Sequence, residues 1–179
     1  MKNFSVMCFF LVLGLSGCST LNKGQCQSGD WYGIGLADGT RGASLTQLSQ
    51  HRDACAEHGI TINGDEYRQG RAEGLKKYCR PLNGYQLGRQ GYRYNNVCPD
   101  NLNAAFYQAH EYGYKIFSLE QITVEMQKQL KLEEAATLDE TLSKAERKEH
   151  LEALTAIQHD LDEAYKQLDR LVAANRWER

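Results

Sequence analysis

Tyr32-Gly33-Ile34-Gly35-Leu36-Ala37-Asp38-Gly39 and Tyr67-Arg68-Gln69-Gly70-Arg71-Ala72-Glu73-Gly74 share one pattern, a tyrosine followed by glycines three and seven residues later. Glycine inside a helix costs about 1 kcal/mol against alanine, so a repeated pair four residues apart needs a packing reason. At helical spacing both glycines fall on one face, and a face without Cβ atoms lets another backbone approach closely. Tyr85-x-x-Gly88-x-x-Gly91 reads as a shortened copy, and Tyr107 followed by Gly113 as a degenerate one. Asp38, Arg71 and Glu73 interrupt these segments, so they do not read as membrane spans. The expectation is a set of short helices that cross tightly, each tyrosine covering the glycine face of its neighbour. The competing reading places the same glycines in loops.

Caps set the coarse boundaries. Ser28 or Asp30 starts a helix that ends near Gly39 or Gly42, and Ser44 starts a second, which carries Leu48 and Cys55 and stops at Gly59. Asn63 or Asp65 starts a third, through Tyr78 and halted by Pro81; a short fourth lies around 84–92, and Asp100 starts a long fifth. From Leu119 to Arg179 the chain has no Gly, Pro or Cys. There Leu151, Leu154, Leu161, Tyr165, Leu168 and Val172 form an apolar seam with Gln158 as its polar interruption, widened by Ile157, Ala164 and Leu171. Ser143-Lys144-Ala145-Glu146 has capping-box form. Two amphipathic arms with a polar turn between them make an antiparallel hairpin, and the second arm outruns the first. Its last turns must therefore pack on the head or on a partner. The fold class is all-α: a small disulfide-stapled bundle of Gly-containing helices at 26–118, then a long hairpin at 119–179.

The N-terminal end reads as an export signal. A basic start, an apolar run from Phe4 to Leu15 and then Leu15-Ser16-Gly17-Cys18 describe a cleaved leader over residues 1–17, too short to span a bilayer. The tetrapeptide resembles a bacterial lipobox, with Cys18 as the lipidation site (palmitate-class acyl chains) and 18–25 as a lipidated linker. Ser19 rather than Asp after the cysteine favours an outer-membrane, periplasm-facing location. Two or three chains at about 0.8 kcal/mol per buried methylene hold a protein firmly on a membrane. Cys26, Cys55, Cys79 and Cys98 then remain in an oxidising compartment and form two disulfides, with three pairings open. If the first two helices form an antiparallel hairpin, Cys26–Cys55 and Cys79–Cys98 are the favoured pairs.

Cys26, Asp30-Trp31, Gly35, Asp38-Gly39, Ala54-Cys55, Tyr67, Gly70-Arg71, Gly74-Leu75, Tyr78-Cys79, Asn83-Gly84 and Val97-Cys98-Pro99 occur in an order that resembles a family of proteobacterial lipoproteins. That family is catalogued only as a domain of unknown function, and the likeness covers about residues 25–119. It agrees with the lipoprotein and disulfide readings and implies no activity.

Removing 1–17 takes one lysine and no acid, which leaves 20 basic against 23 acidic residues and no basic block. The electrostatic footprint of a nucleic-acid binder is missing. His51, Cys55 and His58 share one helix face at a spacing that zinc permits, but a disulfide at Cys55 removes the thiolate, so no metal and no cofactor are expected. Gly33-x-Gly35-x-x-x-Gly39 misses the phosphate-loop spacing. Asp38, Asp53, Glu57, Glu66 and Glu73 show no spacing that selects a hydrolytic pair. Asp38, Arg71 and Glu73 beside packing glycines suggest an ion network or, with Trp31 and Tyr32, a ligand face. Trp31, Tyr32, Tyr85, Tyr92 and Tyr94 form an alternative aromatic platform for a cell-wall glycan such as peptidoglycan. The expected function is that of a membrane-anchored envelope lipoprotein with a non-enzymatic structural or interaction role, its hairpin meeting a protein partner or a second copy.

Overall fold

The computed structural model of the chain describes residues 20–177 and is helical throughout, with no strand among them. The helices are α1 (Lys23–Ser28), α2 (Trp31–Thr40), α3 (Thr46–Ala56), α4 (Gly64–Tyr78), α5 (Pro81–Arg89), α6 (Asp100–Thr137) and α7 (Lys144–Ala173). The leader, the lipobox and Cys18 lie outside the described residues.

Local chemistry explains most of the boundaries. The Asp30 carboxylate accepts from the Gly33 N–H at 2.8 Å, and the Asn63 side chain accepts from Asp65 and Glu66. Ser143 and Glu146 exchange a reciprocal capping box at the start of α7. Asn22 and Gln25 form a second capping box, which builds α1 and which the sequence reading missed. Pro81 does more than stop α4: it stands at the first position of α5, where its fixed φ suits a helix start. Ser44 does not cap α3, which starts at Thr46 with Leu45 as its uncapped N-cap.

Two helix crossings form the head, α2 on α4 and α5 on α6. At the first, an ideal Cβ on Gly35 would lie 2.1 Å from the Tyr67 carbonyl oxygen, and one on Gly70 would lie 2.0 Å from that of Tyr32. Gly39 and Gly74 repeat this one turn later against Arg71 and Leu36. The glycine faces therefore meet backbone to backbone, and the tyrosines do not cover them. At the second crossing a Cβ on Gly88 would lie 2.1 Å from the His110 carbonyl oxygen, and one on Gly113 would lie 2.3 Å from that of Tyr85. The working spacing in α5 is Gly84-x-x-x-Gly88, because Gly91 has already left the helix with φ 77°. Its partner motif in α6 is His110-x-x-Gly113 rather than one begun by Tyr107.

Disulfides join Cys26 to Cys55 and Cys79 to Cys98, the pairings favoured from helix order. The first ties α1 to the end of α3 within a core of Leu21, Trp31, Leu48, Ile62 and Tyr67. The second ties the end of α4 to the segment before α6, beside Leu75 and Phe106. Residues 20–25 are not a free linker: Leu21 is buried and the Thr20 hydroxyl bonds the His51 ring at 2.8 Å.

The boundary drawn at 118/119 falls inside α6, one continuous helix of 38 residues that serves both the second crossing and the hairpin. From Gly113 to Thr137 it runs roughly 36 Å at 1.5 Å per residue. The end of α7 packs back on the head, as the length of the second arm requires. Leu168, Leu171 and Trp177 rest on Tyr85, Ala109 and Ile116. Tyr112 donates its hydroxyl to the Leu171 carbonyl, and Asn175 donates to the Tyr85 hydroxyl at 2.9 Å.

Candidate functional site

Asp38 is the buried carboxylate at the centre of the first crossing, 1 % exposed. Its position in the last turns of α2 points it across α4 toward Tyr67 and α3. One carboxylate oxygen accepts from the Tyr67 hydroxyl at 2.6 Å and from His51 Nε2 at 2.8 Å; the other accepts from Arg41. Burial pushes the Asp38 carboxyl up, but the hydrogen bonds from Tyr67, His51 and Arg41 together outweigh it and hold the group below its usual value. Burial, then the bond to Asp38, pushes the Tyr67 hydroxyl above its ordinary range. His51 Nδ1 closes the chain onto Thr20. Every buried side-chain polar atom of Asp38, Tyr67 and His51 has a partner, so the cluster is a structural clamp between α2, α3 and α4.

The residues expected to share a ligand face do not meet. Trp31 is core, and Tyr32 lies exposed. The Arg71 guanidinium donates twice to the Ala43 carbonyl, at 2.7 and 3.1 Å, holding the α2–α3 turn. Glu73 pairs with Lys76 on the surface at 2.5 Å. Asp38, Arg71 and Glu73 thus form no common network. The aromatic platform also disperses, with Trp31 and Tyr85 buried and Tyr32 and Tyr92 exposed. Cys55 is in its disulfide and His51 in the Asp38 cluster, which takes two of the three residues from a zinc set. Among the described residues no group of three His, Cys, Asp or Glu stands ready to hold a metal.

The hairpin offers the open surface. Its inner seam runs through Met126 and Leu130 of α6 and through Leu154, Ile157, Leu161, Ala164, Leu168 and Leu171 of α7, all buried or half-buried. The stripe read from the sequence is therefore turned by roughly 50° toward Ile157 and Ala164. Leu151, Tyr165 and Val172 stay exposed at 54 %, 38 % and 54 %, with Gln158 between them. These four positions are seven residues apart, the spacing of one line along a coiled-coil helix. A shallow apolar groove opens beside Leu151, bounded by Lys148, Glu152, Thr155 and Ala156. No helix of the described residues is long and apolar enough to cross a membrane.

Comparison with known proteins places the head. Residues 30–115, from the start of α2 to just past Gly113, match the model of a family described as "Protein of unknown function (DUF2799)". The chain is 31 % identical over 108 residues to a protein of Escherichia coli (strain K12) titled "Uncharacterized protein YfiL", an alignment covering 59 % of this chain and 83 % of the relative. This chain belongs to the DUF2799 family. The matched region comprises both glycine crossings and the Cys79–Cys98 disulfide, begins after Cys26 and ends where the hairpin begins. No solved structure matches the chain.

Proposed function

We propose that this DUF2799 protein is a lipid-anchored envelope component that acts by holding a partner helix on its hairpin, without catalysing a reaction. The observation that carries the reading is the line Leu151–Gln158–Tyr165–Val172. The hairpin has closed its own seam, and this second line is left outside it. A partner with a matching apolar heptad line would bury these side chains, Leu151 and Val172 each contributing about 1.5–3 kcal/mol when fully covered. Acylation of Cys18 would fix the other end. Thr20 is already packed on His51, so only about 7 Å of extended chain separates the anchor from the folded head. The head would then sit against an outer membrane on its periplasmic side, and the hairpin tip would stand clear of the head.

Site-specific photocrosslinking in cells tests this reading. A photoreactive residue at 151, 158, 165 or 172 should give one common adduct, whether a second copy or another helical envelope protein. Glu163 and Arg170, exposed on the far side of α7, should give none. Equal labelling from both sides, or no adduct from the heptad line, refutes the reading. Radiolabelled palmitate on wild type and its loss in Cys18→Ser test the anchor separately.

A further inference from the structure

The geometry points to a second site: the open side of the α5–α6 crossing is a binding cup for a sugar ring, walled by Tyr94, Tyr107 and Tyr114 and lined by His110, Glu111 and Arg93. This goes beyond the hairpin reading and does not depend on it. The cavity is about 430 Å³, within the range of roughly 300–1,000 Å³ typical of small-ligand sites.

His110 sets its polarity. The ring is 3 % exposed, and its Nε2 lies 2.7 Å from the Tyr92 carbonyl oxygen. A carbonyl only accepts, so Nε2 is the donor to Tyr92, and Nδ1 is left on the side of Glu111. That Nδ1 is buried and has no hydrogen-bond partner among the described atoms. Its charged neighbour is the Glu111 carboxylate at 3.4 Å, itself an acceptor. An unsatisfied buried polar atom is rare in folded proteins and calls for an explanation. A ligand hydroxyl that takes the place of the flexible, exposed Glu111 side chain over Nδ1 gives this nitrogen a hydrogen bond, since a hydroxyl both donates and accepts. Arg93, exposed on the rim, supplies donors for ring or acetamide oxygens.

The aromatic walls choose the shape. Tyr94 is tilted 41° to Tyr107 and 46° to His110, with centroids 6.1 and 5.9 Å apart. Faces tilted to one another let the C–H hydrogens of a puckered ring meet more than one electron-rich surface. One cation and one carboxylate leave the cup without net charge, which favours a polyhydroxylated ligand over an ion. The cup is also held in place before anything binds. Tyr94 donates to the Asn103 side chain at 2.5 Å and accepts from the Cys98 N–H at 3.0 Å, and the Cys79–Cys98 disulfide pins that loop. Asn96 turns the rim at φ 52°, a left-handed conformation that asparagine tolerates.

The test is an NMR titration of the oxidised chain, with isotope-labelled protein and millimolar triacetylchitotriose or cellotriose. At least one trisaccharide should give saturable shifts at residues 93–96 and 107–114. Tyr107→Ala and Glu111→Gln, both at exposed positions, should each weaken that affinity about tenfold. His110→Phe, which keeps a ring but removes Nδ1 together with the Nε2–H bond to Tyr92, should abolish it with the thermal midpoint lowered by only a few degrees. Leu151→Gln with Val172→Gln should bind as wild type does, which separates failure here from failure of the hairpin reading. Binding of neither sugar, equal binding by Tyr107→Ala, or adenosine shifting these resonances in place of both sugars would overturn the assignment.

Discussion

The two crossings of the head use one backbone device and finish it differently. Gly35 and Gly70 meet the Tyr67 and Tyr32 carbonyls, and Gly88 and Gly113 meet those of His110 and Tyr85. Superposed in this way, Tyr32 corresponds to Tyr85 and Tyr67 to His110. The difference lies three residues beyond the first glycine. In α2 that position is Asp38, whose carboxylate gathers Tyr67, His51 and Arg41. In α5 it is Gly91, where the helix has already ended. The first crossing is therefore clamped by a satisfied polar cluster, whereas His110 at the second is left with an unmatched nitrogen. Close backbone contact fixes the architecture in both, and the polar residues decide which is sealed and which is open.

Replacing the cysteines should break the comparison most strongly. With the bonded cysteines 29 and 19 positions apart in sequence, the chain-entropy model gives about 3.5 kcal/mol for Cys26–Cys55 and about 3 for Cys79–Cys98. Serine at all four positions should remove most of the stability of a domain worth about 5–15 kcal/mol, seen as loss of a cooperative urea transition. The paired variants should differ in place: hydrogen exchange speeds up in α1 and α3 for the first, and in residues 90–99 for the second.

Asp38→Ala should cost about 3 kcal/mol in urea unfolding, because it strands the Tyr67 hydroxyl and the His51 N–H in the interior. The same clamp makes the first crossing acid-sensitive. The folded Asp38 binds its proton more weakly than the unfolded chain does. Its contribution is complete above about pH 4 and is lost as pH falls through the lower folded value. The thermal midpoint of wild type should fall more steeply below that pH than that of Asp38→Asn. Parallel curves would remove the clamp from the account. The smallest effect belongs to the hairpin's outer line. Leu151→Gln with Val172→Gln should shift stability by less than about 0.5 kcal/mol, since both side chains already face water. A larger loss would mean that this line serves the fold.

The sequence made the crossings legible because GxxxG in a polar helix has few explanations besides close backbone contact. Caps at Asp30, Asn63 and Ser143 were equally readable, since each acts within three residues. What escaped was mostly non-local. Asp38 could not be assigned its partners without knowing that α3 brings His51 across α2, so Arg71 and Glu73 looked like better mates. The α7 stripe was misplaced by roughly 50° because Leu151, Tyr165 and Val172 satisfy the heptad pattern as well as the residues that face α6. The cup joins a disulfide-tethered loop to one face of α6. Its sole linear trace is the run Phe106, His110, Tyr114 and Phe117 at helical spacing, whose ring neighbours become visible only in three dimensions.

The central claim is that bare backbone contact at the glycines holds both crossings, and urea unfolding of Gly70→Ala and Gly113→Ala measures it most directly. Each new Cβ would fall 2.0–2.3 Å from a carbonyl oxygen on the facing helix, where no flexible side chain can yield. The account predicts a loss of about 3 kcal/mol or more at both sites, against little change or a slight gain for Gly24→Ala, which meets only the Asn22 side chain at 3.4 Å. If all three variants unfold within about 0.5 kcal/mol of wild type, the helices do not cross where these glycines place them.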